Sequence, residues 1–334
     1  MYNDDLSDEE FKKLMKEEMS SLIDNFNQKS ERTIPNVVDN VGDFFPIKDT
    51  EYMGEVINIL SQLMPDFEDY TFIIHCDNTS NVPESVSNDP WYGEKRVLIW
   101  TGSEHKYTPF NIIKNKYHHI FTNYCRDGEN VTSIPLGYYS HSGSPPTLMQ
   151  ERLYNINFLG CLNRNRFEMA SVLSKLPKWL LLLVGSWNHP KLLNLINNTV
   201  WWIRPKDYIK FTPDFAKGFD KKTYINILES SKFSFCPTGW ANAETFRLYE
   251  SMRAGCITFS NYLPDREYYK NIPIIQLNDN ESWKHATNMV DLILNRYTKT
   301  QLQEWSDSIK KYYDDNLSPK ATANIIINTL KQKQ

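Results

Sequence analysis

Short, continuous apolar runs alternate with amphipathic segments along most of the chain. Each run is only a few residues long, and Gly, Pro, Asn or Asp residues often stand near its ends. Such runs are typical of strands in a parallel sheet that is covered on both faces. The predicted strands are Thr71–His75, Arg96–Trp100, His119–Thr122, Val131–Leu136, Ile156–Leu162, Leu180–Val184, Lys232–Cys236, Cys256–Phe259 and Ile272–Leu277.

The segments between these runs predict helices. Ser7–Glu10 has the form of a capping box and predicts an amphipathic helix that continues to Asn27. Its apolar positions, among them Phe11, Leu14 and Leu22, recur at helical spacing and predict a face that packs on the body of the protein. The other predicted helices cover residues 51–63, 164–175, 221–230, 243–254, 282–296, 300–315 and 318–332.

A Pro-rich segment at Gly143–Pro146 separates two series of alternating strands and helices. A chain of 334 residues can bury two cores of ordinary size. The predicted fold class is therefore α/β, with two Rossmann-like domains facing a cleft. The predicted boundaries are an N-terminal helix at 1–30, Rossmann-like domains at 31–148 and 149–300, and C-terminal helices at 301–334 that pack back on the first of these domains.

One strand-turn-helix unit in the second series is built like a phosphate site. Lys232–Cys236 is a β-prone run that ends at Pro237, and Ala243–Ala254 is a helix-forming segment that ends at Gly255. At such a corner, free backbone N–H groups and the helix dipole both favour a bound phosphate. The residues predicted at the corner are Thr238, Gly239, Trp240 and Ala241.

The helix of this unit carries a polar stripe formed by Glu244, Arg247, Glu250 and Ser251. One interpretation is a solvated face with Glu and Arg side chains paired three residues apart. The other is a nucleotide grip, in which Arg247 binds a diphosphate through two hydrogen bonds and Glu250 accepts hydrogen bonds from a ribose diol. The phosphate corner next to the stripe favours the second interpretation.

The segment from Arg247 to Ile257 resembles the donor-site signature of exostosin-like glycosyltransferases. In that signature an Arg is followed three positions later by an acidic residue, here Glu250, and the helix ends in Gly-Cys-Ile. The Pro-Val that usually follows is replaced by Thr258 and Phe259. Tyr154–Gly160 is similar to the opening strand of the donor domain in ribitol xylosyltransferases of the same group. The resemblance implies a GT-B fold, a donor domain in the C-terminal half, an acceptor domain in the N-terminal half, and UDP-xylose or another UDP-sugar as the donor.

A group that takes a proton from the acceptor hydroxyl is expected on the opposite wall of the cleft. Glu104 and His105 follow the predicted strand Arg96–Trp100, so they lie at the carboxyl edge of the sheet, where ligands bind. This segment resembles the strand-Thr-Gly-Glu segment of α1,3-fucosyltransferases, in which the Glu is the proposed base, with Ser103 inserted. Asp89 is a weaker candidate, and a solvated loop is the alternative interpretation.

Two further arginines are candidates for the diphosphate. Arg164 and Arg166 lie where the first predicted strand of the second series turns into a helix, although arginines are also common at helix starts. Asp-x-Asp, the usual ligand pair for a metal-held diphosphate, does not occur in the sequence. The prediction is therefore catalysis without a metal ion or another cofactor.

Composition narrows the classes of partner. The net charge of −4, with no dominant basic cluster, argues against nucleic-acid binding. The five cysteines are widely spaced and predict reduced core residues. The N-terminal sequence lacks the features of a signal peptide, and no apolar run is long enough for a transmembrane helix, so a cytoplasmic location is expected. Trp201 and Trp202 are expected in the core.

Taken together, these features predict an inverting, metal-independent glycosyltransferase that moves a sugar from a UDP-sugar to a glycan hydroxyl. One alternative is a GDP-fucose-dependent fucosyltransferase. A second is a nucleotide- or sugar-binding protein on the same fold without catalysis. The sequence leaves open the donor sugar, the acceptor and the oligomeric state.

Overall fold

The computed structural model describes residues 37–41, 50–76, 95–102, 113–124, 128–138, 147–177, 179–181, 190–213, 218–240, 242–278 and 282–333. The predicted N-terminal helix and the predicted linker Gly143–Pro146 lie outside these residues.

The first half of the chain forms a parallel sheet of five strands in the order β1-β2-β3-β4-β5. The four apolar residues of β3 from Val97 to Trp100 are fully buried, which is why the strand is a continuous apolar run in the sequence. The strands are β1 Val37–Val41, β2 Thr71–Cys76, β3 Arg96–Thr101, β4 His119–Thr122 and β5 Val131–Ser133.

The second half forms another parallel sheet of five strands, in the order β10-β9-β8-β6-β7. Two parallel sheets in one α/β chain confirm the predicted fold class of two Rossmann-like halves, the GT-B type of architecture. The strands are β6 Tyr154–Cys161, β7 Tyr208–Thr212, β8 Ser231–Cys236, β9 Ile257–Asn261 and β10 Ile275–Leu277.

Helices connect the strands and cover the sheets. None of the helices within the described ranges is both long and apolar enough to cross a membrane. The helices are α1 Thr50–Leu63, α2 Phe167–Ser174, α3 Pro190–Ile203, α4 Lys221–Glu229, α5 Phe246–Arg253, α6 Trp283–Arg296, α7 Lys299–Asn316 and α8 Pro319–Lys331.

The predicted strand Leu180–Val184 is wrong in its described part, because residues 179–181 are helical. A short apolar run does not distinguish a buried strand from a buried helical segment. The strand next to β6 is instead β7, an edge strand that the prediction missed because Lys210 interrupts its apolar residues. Strand β5 is shorter than predicted, since Pro135 has no N–H group to continue the ladder.

Two tryptophans that were expected in the core lie on the surface. Trp201 is 66% exposed and Trp202 is 82% exposed, both in the last turn of α3. The side of α3 that faces the sheet is formed by other residues, including the buried Ile196 and Val200. Asn197 of the same helix bonds the backbone N–H and C=O of Phe211, which satisfies backbone groups of the edge strand β7.

The C-terminal helices contact the first half of the chain. The Tyr52 hydroxyl on α1 donates to the Leu317 carbonyl at 2.7 Å and lies 2.6 Å from Thr322 Oγ1 on α8. A Cβ at Gly137, where φ is +84°, would collide with the Tyr52 ring. A residue with a side chain is therefore excluded at position 137 by both space and backbone conformation. The domain boundaries themselves stay a prediction.

A buried arginine ties the second half together. Arg152 is 4% exposed, and its guanidinium donates to the carbonyls of Thr147, Ser231 and Ala254 at 2.7 to 2.9 Å. Ala254 is the C-cap of α5, so the cation also opposes the negative end of that helix dipole. Burial lowers the pKa of Arg152, and the three carbonyl contacts compensate part of the lost hydration.

We expect Arg152→Met to lower the free energy of unfolding by about 3–4 kcal/mol, because three buried carbonyls lose a charged donor. Urea denaturation of the folded variant measures this loss. Arg296→Met, which truncates an exposed arginine in the last turn of α6, is the matched control and should change stability by less than about 0.5 kcal/mol. Equal effects of the two substitutions would contradict a stabilising role for Arg152.

Candidate functional site

The second sheet reverses its strand order between β6 and β8. From β6 the chain first builds outward to β7 and then returns to build β8, β9 and β10 on the other side. Open parallel sheets bind their ligands at such a switch point, outside the carboxyl ends of the two strands. The site is therefore expected where β6 ends at Cys161 and β8 ends at Cys236.

The two strands at this point separate before they end. Their pairing joins Tyr154 to Ser231 and extends to Asn157 and Ser234, whereas β6 continues for four more residues to Cys161. The carboxyl halves of β6 and β8 therefore border a crevice, and those carbonyls of this part of β6 that do not pair with β7 need other donors.

Two arginines supply these donors. Arg247, in the first turn of α5, donates from Nη2 to the carbonyl of Leu159. Arg166, in the 3-10 turn Arg164–Arg166, donates from Nη1 to the carbonyl of Cys161 at 2.7 Å and from Nε to the carbonyl of Thr238 at 3.3 Å. Both guanidiniums thus lie in the crevice between the two strands.

The same two guanidiniums contact one aromatic ring. Arg247 Cζ lies 4.5 Å from the ring centroid of Phe158, and Arg166 Cζ lies 5.6 Å from it. A Cβ added to Gly160 would collide with Arg247 Nη2 and would lie 3.5 Å from Arg166 Nη1. The two cations therefore face each other across a glycine. Two like charges held this near to one another repel, and the repulsion grows as water is excluded from between them.

Three polar atoms beside this pair have no hydrogen-bond partner among the described residues. They are Arg247 Nε, Thr245 Oγ1 and Asn163 Oδ1, and all three atoms are buried. Thr245 is the N-cap of α5, yet its hydroxyl does not cap the helix. Buried polar atoms are normally satisfied, so a cluster of unsatisfied donors and acceptors marks the place of a polar ligand or ordered water.

Helix α5 begins three residues later than predicted, at Phe246. The predicted phosphate corner is therefore a longer loop, and two of its N–H groups have partners within the protein. Thr238 N–H donates to Asn261 Oδ1 at 2.8 Å, and Gly239 N–H donates to the Asn242 carbonyl at 2.8 Å. Helix α5 therefore begins at Phe246, the residue directly before Arg247.

Residues of the turn after β6 hold this loop in place. Asn165 Nδ2 donates to the carbonyls of Gly239 and Trp240 at 2.8 and 3.0 Å. The Trp240 side chain is 74% exposed, although its backbone is fixed. Arg164 is also exposed, in contrast to the buried Arg166, so the two arginines of this turn differ in position. Ala241 lies outside the described residues.

Glu250 lies one turn beyond Arg247 on α5. Its carboxylate accepts a hydrogen bond of 2.7 Å from the Tyr224 hydroxyl on α4, and the residue is 6% exposed. Burial, followed by the charge of Glu250, raises the pKa of Tyr224 well above its ordinary value. This keeps Tyr224 protonated as a donor to Glu250. Whether Glu250 binds a ribose stays a prediction.

Glu244 belongs to the contact between the two halves. It is 2% exposed and accepts a hydrogen bond of 3.0 Å from Tyr269, and burial raises the pKa of its carboxyl group. The Tyr269 hydroxyl contacts the Tyr249 hydroxyl, which in turn accepts the N–H of Leu136 at 3.0 Å. A polar chain thus runs from the loop before α5 to the segment that follows β5.

The predicted catalytic residues Glu104, His105 and Asp89 lie outside the described residues. Of the donor-site candidates, the structure brings Arg166, Arg247 and Thr238 together at the switch point. It also adds three residues that the sequence analysis did not single out: Phe158, Asn163 and Thr245. Thr245 carried a usable signal, because Thr directly before a helix is a preferred N-cap.

No protein-family model and no curated protein sequence matches the chain. Solved structures with a similar backbone course include a glycosyltransferase from Rickettsia africae (11% identity, 88% of this chain and 83% of that chain, TM-score 0.49). A second is Anabaena HepE in complex with UDP and glucose (11% identity, 83% of this chain and 81% of that chain, TM-score 0.48). A third is Acinetobacter baumannii MurG (9% identity, 86% of this chain and 79% of that chain, TM-score 0.42). These TM-scores lie below 0.5 and the identities are 9–11%, so the similarity assigns no function to this chain.

If this crevice holds the UDP that the sequence predicts, Gly160→Ala should weaken UDP binding about 10- to 100-fold, because the new methyl group displaces the Arg247 guanidinium and one charged hydrogen bond is lost. Titration calorimetry of the folded variant measures the affinity. Gly54→Ala is the matched control, since a Cβ at Gly54 meets nothing within 4 Å. Wild-type affinity in Gly160→Ala would place the nucleotide elsewhere.

Proposed function

We propose that the protein is a glycosyltransferase that uses a nucleotide-sugar donor, with UDP as the nucleotide. The observation that carries the proposal is the pair of guanidiniums over Phe158 at the switch point, beside the unsatisfied Nε of Arg247. Paired arginines in a low-dielectric crevice suit a group with two or more negative charges, and a diphosphate is such a group. The resemblance of Arg247–Ile257 to the exostosin-like donor signature supports the same assignment.

The chemistry of the site suits a departing nucleoside diphosphate. As the bond between the sugar and the diphosphate breaks, negative charge grows on the leaving oxygen. Arg166 and Arg247 stabilise this charge by donating N–H groups, and the N-terminus of α5 adds its dipole. These are the tasks that a metal ion performs in other transferases, and we propose that this reaction proceeds without one.

The acceptor side of the proposal rests on the sequence. We propose a glycan hydroxyl as the nucleophile, an inverting displacement, and Glu104 as the group that takes its proton, with His105 and Asp89 as the other candidates. UDP-xylose is the donor that the resemblance favours. A nucleotide-binding protein without catalysis would bind UDP in the same way, so turnover of the donor must be measured as well as binding.

The proposal is tested with UDP, GDP and CMP and with their sugars. At a UDP concentration one hundred times the dissociation constant, we expect stabilisation by about 2.7 kcal/mol, seen as a rise in Tm. Release of UDP from UDP-xylose or another UDP-sugar then separates an enzyme from a binding protein. Stabilisation by none of these nucleotides would refute the proposal.

We expect donor turnover to continue undiminished in excess EDTA, because arginines and a helix N-terminus provide the positive charge at the diphosphate. The measurement is UDP release with and without EDTA, followed by addition of Mn²⁺. Activity that is lost in EDTA and restored by Mn²⁺ would contradict the proposed chemistry.

We expect Glu250→Ala to weaken UDP binding by about 1–3 kcal/mol, the range for a lost hydrogen bond to a charged group, if its carboxylate holds the ribose diol. Tyr224→Phe is the matched control, because it removes the hydrogen bond from Tyr224 to Glu250 and keeps the carboxylate. Its affinity for UDP should stay within about threefold of the wild type. If both variants lost affinity equally, the role of Glu250 would be to position α4 through Tyr224, and wild-type affinity in Glu250→Ala would remove the ribose role.

A further inference from the structure

The buried side chain of Asn163 carries a hydrogen-bond acceptor that the chain itself does not use. Asn163 lies two residues after the end of β6, at the switch point, and is 7% exposed. Its Oδ1 atom is buried and has no hydrogen-bond partner among the described residues. Because leaving a buried acceptor unsatisfied is costly, we expect a group from outside these residues to supply an N–H or O–H donor.

The local partner that an Asn often finds at this position is not used. Asn163 directly precedes the 3-10 turn Arg164–Arg166 and has an extended backbone, and Asn side chains at such positions commonly accept an N–H group of the following turn. The Arg166 N–H donates instead to the backbone carbonyl of Asn163 at 2.9 Å, and the side chain caps nothing. The side-chain oxygen therefore stays available to a ligand.

The orientation of the amide group follows from its nitrogen. Asn163 Nδ2 donates at 3.4 Å to the carbonyl of Gly239, which belongs to the loop after β8. With the amide turned over, Oδ1 would face that carbonyl oxygen, and two acceptors would meet without a hydrogen between them. Oδ1 therefore points away from Gly239, and the side chain bridges the ends of the two strands that border the crevice.

The acceptor at Asn163 and the two arginines need different atoms of a ligand. The guanidiniums of Arg166 and Arg247 only donate, so they suit the ionised oxygens of a diphosphate. An amide oxygen only accepts, so ionised phosphate oxygens do not satisfy Asn163 Oδ1. A ligand that satisfies the whole crevice therefore carries a diphosphate and, beside it, a neutral O–H or N–H group.

The place of Asn163 indicates which end of a nucleotide sugar brings this group. Helix α5 connects the parallel strands β8 and β9, so it runs from the carboxyl edge of the sheet back to the amino edge. Glu250, the ribose candidate, is about one turn nearer the amino edge than Arg247. Asn163 lies on the other side of the arginine pair, because it follows the carboxyl end of β6. In a nucleotide sugar, the ribose and the transferred sugar likewise lie on opposite sides of the diphosphate.

We infer that Asn163 is a specificity-determining residue, whose Oδ1 atom accepts a hydrogen bond from a hydroxyl group of the transferred sugar. The inference rests on the proposed function and adds recognition of the sugar to it. A site with a buried acceptor discriminates against a ligand that lacks the matching O–H group, because the acceptor then stays unpaired. The hydroxyl group of Thr245, which is also buried without a partner among the described residues, both donates and accepts and so does not discriminate in this way.

Other partners of Asn163 Oδ1 predict a different result. An ordered water molecule that stays in place would serve UDP and a UDP-sugar equally. The ribose hydroxyls and the N–H group of uracil are present in both ligands. Only a hydroxyl group of the sugar makes Asn163 more important for a UDP-sugar than for UDP.

The test compares the affinities of the full chain for UDP and for a UDP-sugar by titration calorimetry. The UDP-sugar is whichever of UDP-xylose, UDP-glucose and UDP-galactose the wild type binds most tightly. We expect Asn163→Ala to weaken UDP-sugar binding about tenfold more than UDP binding, the effect of one hydrogen bond that only the sugar makes. Asn163→Ser, which keeps a preferred residue before the turn and shortens the side chain, gives the same comparison if the alanine variant does not fold.

Asn165→Ala is the matched control, because Asn165 Nδ2 donates to the same Gly239 carbonyl at 2.8 Å while its side chain is exposed. The ratio of its two affinities should stay within about twofold of the wild-type ratio. An equal loss of both affinities in Asn163→Ala would overturn the inference, and so would a tenfold change of the ratio in Asn165→Ala. Binding of UDP but of none of the three UDP-sugars would overturn it and leave the nucleotide site in place. A wild-type chain that binds none of the four ligands would refute the proposed function, and this inference with it.

Discussion

The separation of β6 from β8 beyond Asn157 is the constraint on which the rest of the site depends. A strand whose ladder stops leaves backbone carbonyls that must be satisfied before they can be buried. Guanidinium groups satisfy those of Leu159 and Cys161, and a guanidinium has more N–H groups than these carbonyls use. The arginines that satisfy the unpaired carbonyls therefore have further N–H groups in the crevice where a parallel sheet binds its ligand.

The two arginines restrict which residue types can stand at positions 158 and 160. Position 160 excludes any side chain, because the Arg247 guanidinium occupies the space of a Cβ. Phe158 presents a ring face to both cations, which lowers the cost of holding two like charges together. The remaining repulsion favours any anion that contacts both guanidiniums at once. A diphosphate can do so through separate phosphate groups, whereas a single carboxylate is less able to.

Helix α5 connects this crevice to the other half of the molecule. Arg247 faces β6, Tyr249 accepts the Leu136 N–H, and the Arg253 guanidinium lies 4.6 Å from the ring centroid of Tyr138. Leu136 and Tyr138 belong to the first half of the chain. A rotation of the two halves would move these contacts, and because a helix of two turns is stiff, it would move Arg247 as well. The geometry of the cationic pair thus depends on the contact between the halves.

The sequence predicts the parts of this design that depend on local pattern. Strands β2, β3, β4, β6 and β8 lie close to their predicted positions, because buried parallel strands are continuous apolar runs. Strand β7 and helix α3 were missed, since an edge strand with an exposed lysine lacks that signal and Leu180–Val184 imitates it. The proximity of Arg166 to Arg247 could not be derived from spacing, because 81 residues separate them and only the strand order brings them together.

The exposure of Trp201 and Trp202 could not be predicted either, because it also depends on tertiary packing and not on local pattern. Hydrophobicity predicts burial for a Trp-Trp pair, because most large apolar side chains are covered in a folded chain. Whether the protein's own sheet buries the pair depends on which side of α3 packs on that sheet. The packed side contains Ile196 and Val200. Val200 is buried, whereas the next two residues, Trp201 and Trp202, are exposed, so the two indole rings lie on the side of the helix that the sheet does not cover. Apolar surface that the fold itself does not cover keeps its free energy of burial available for an external partner.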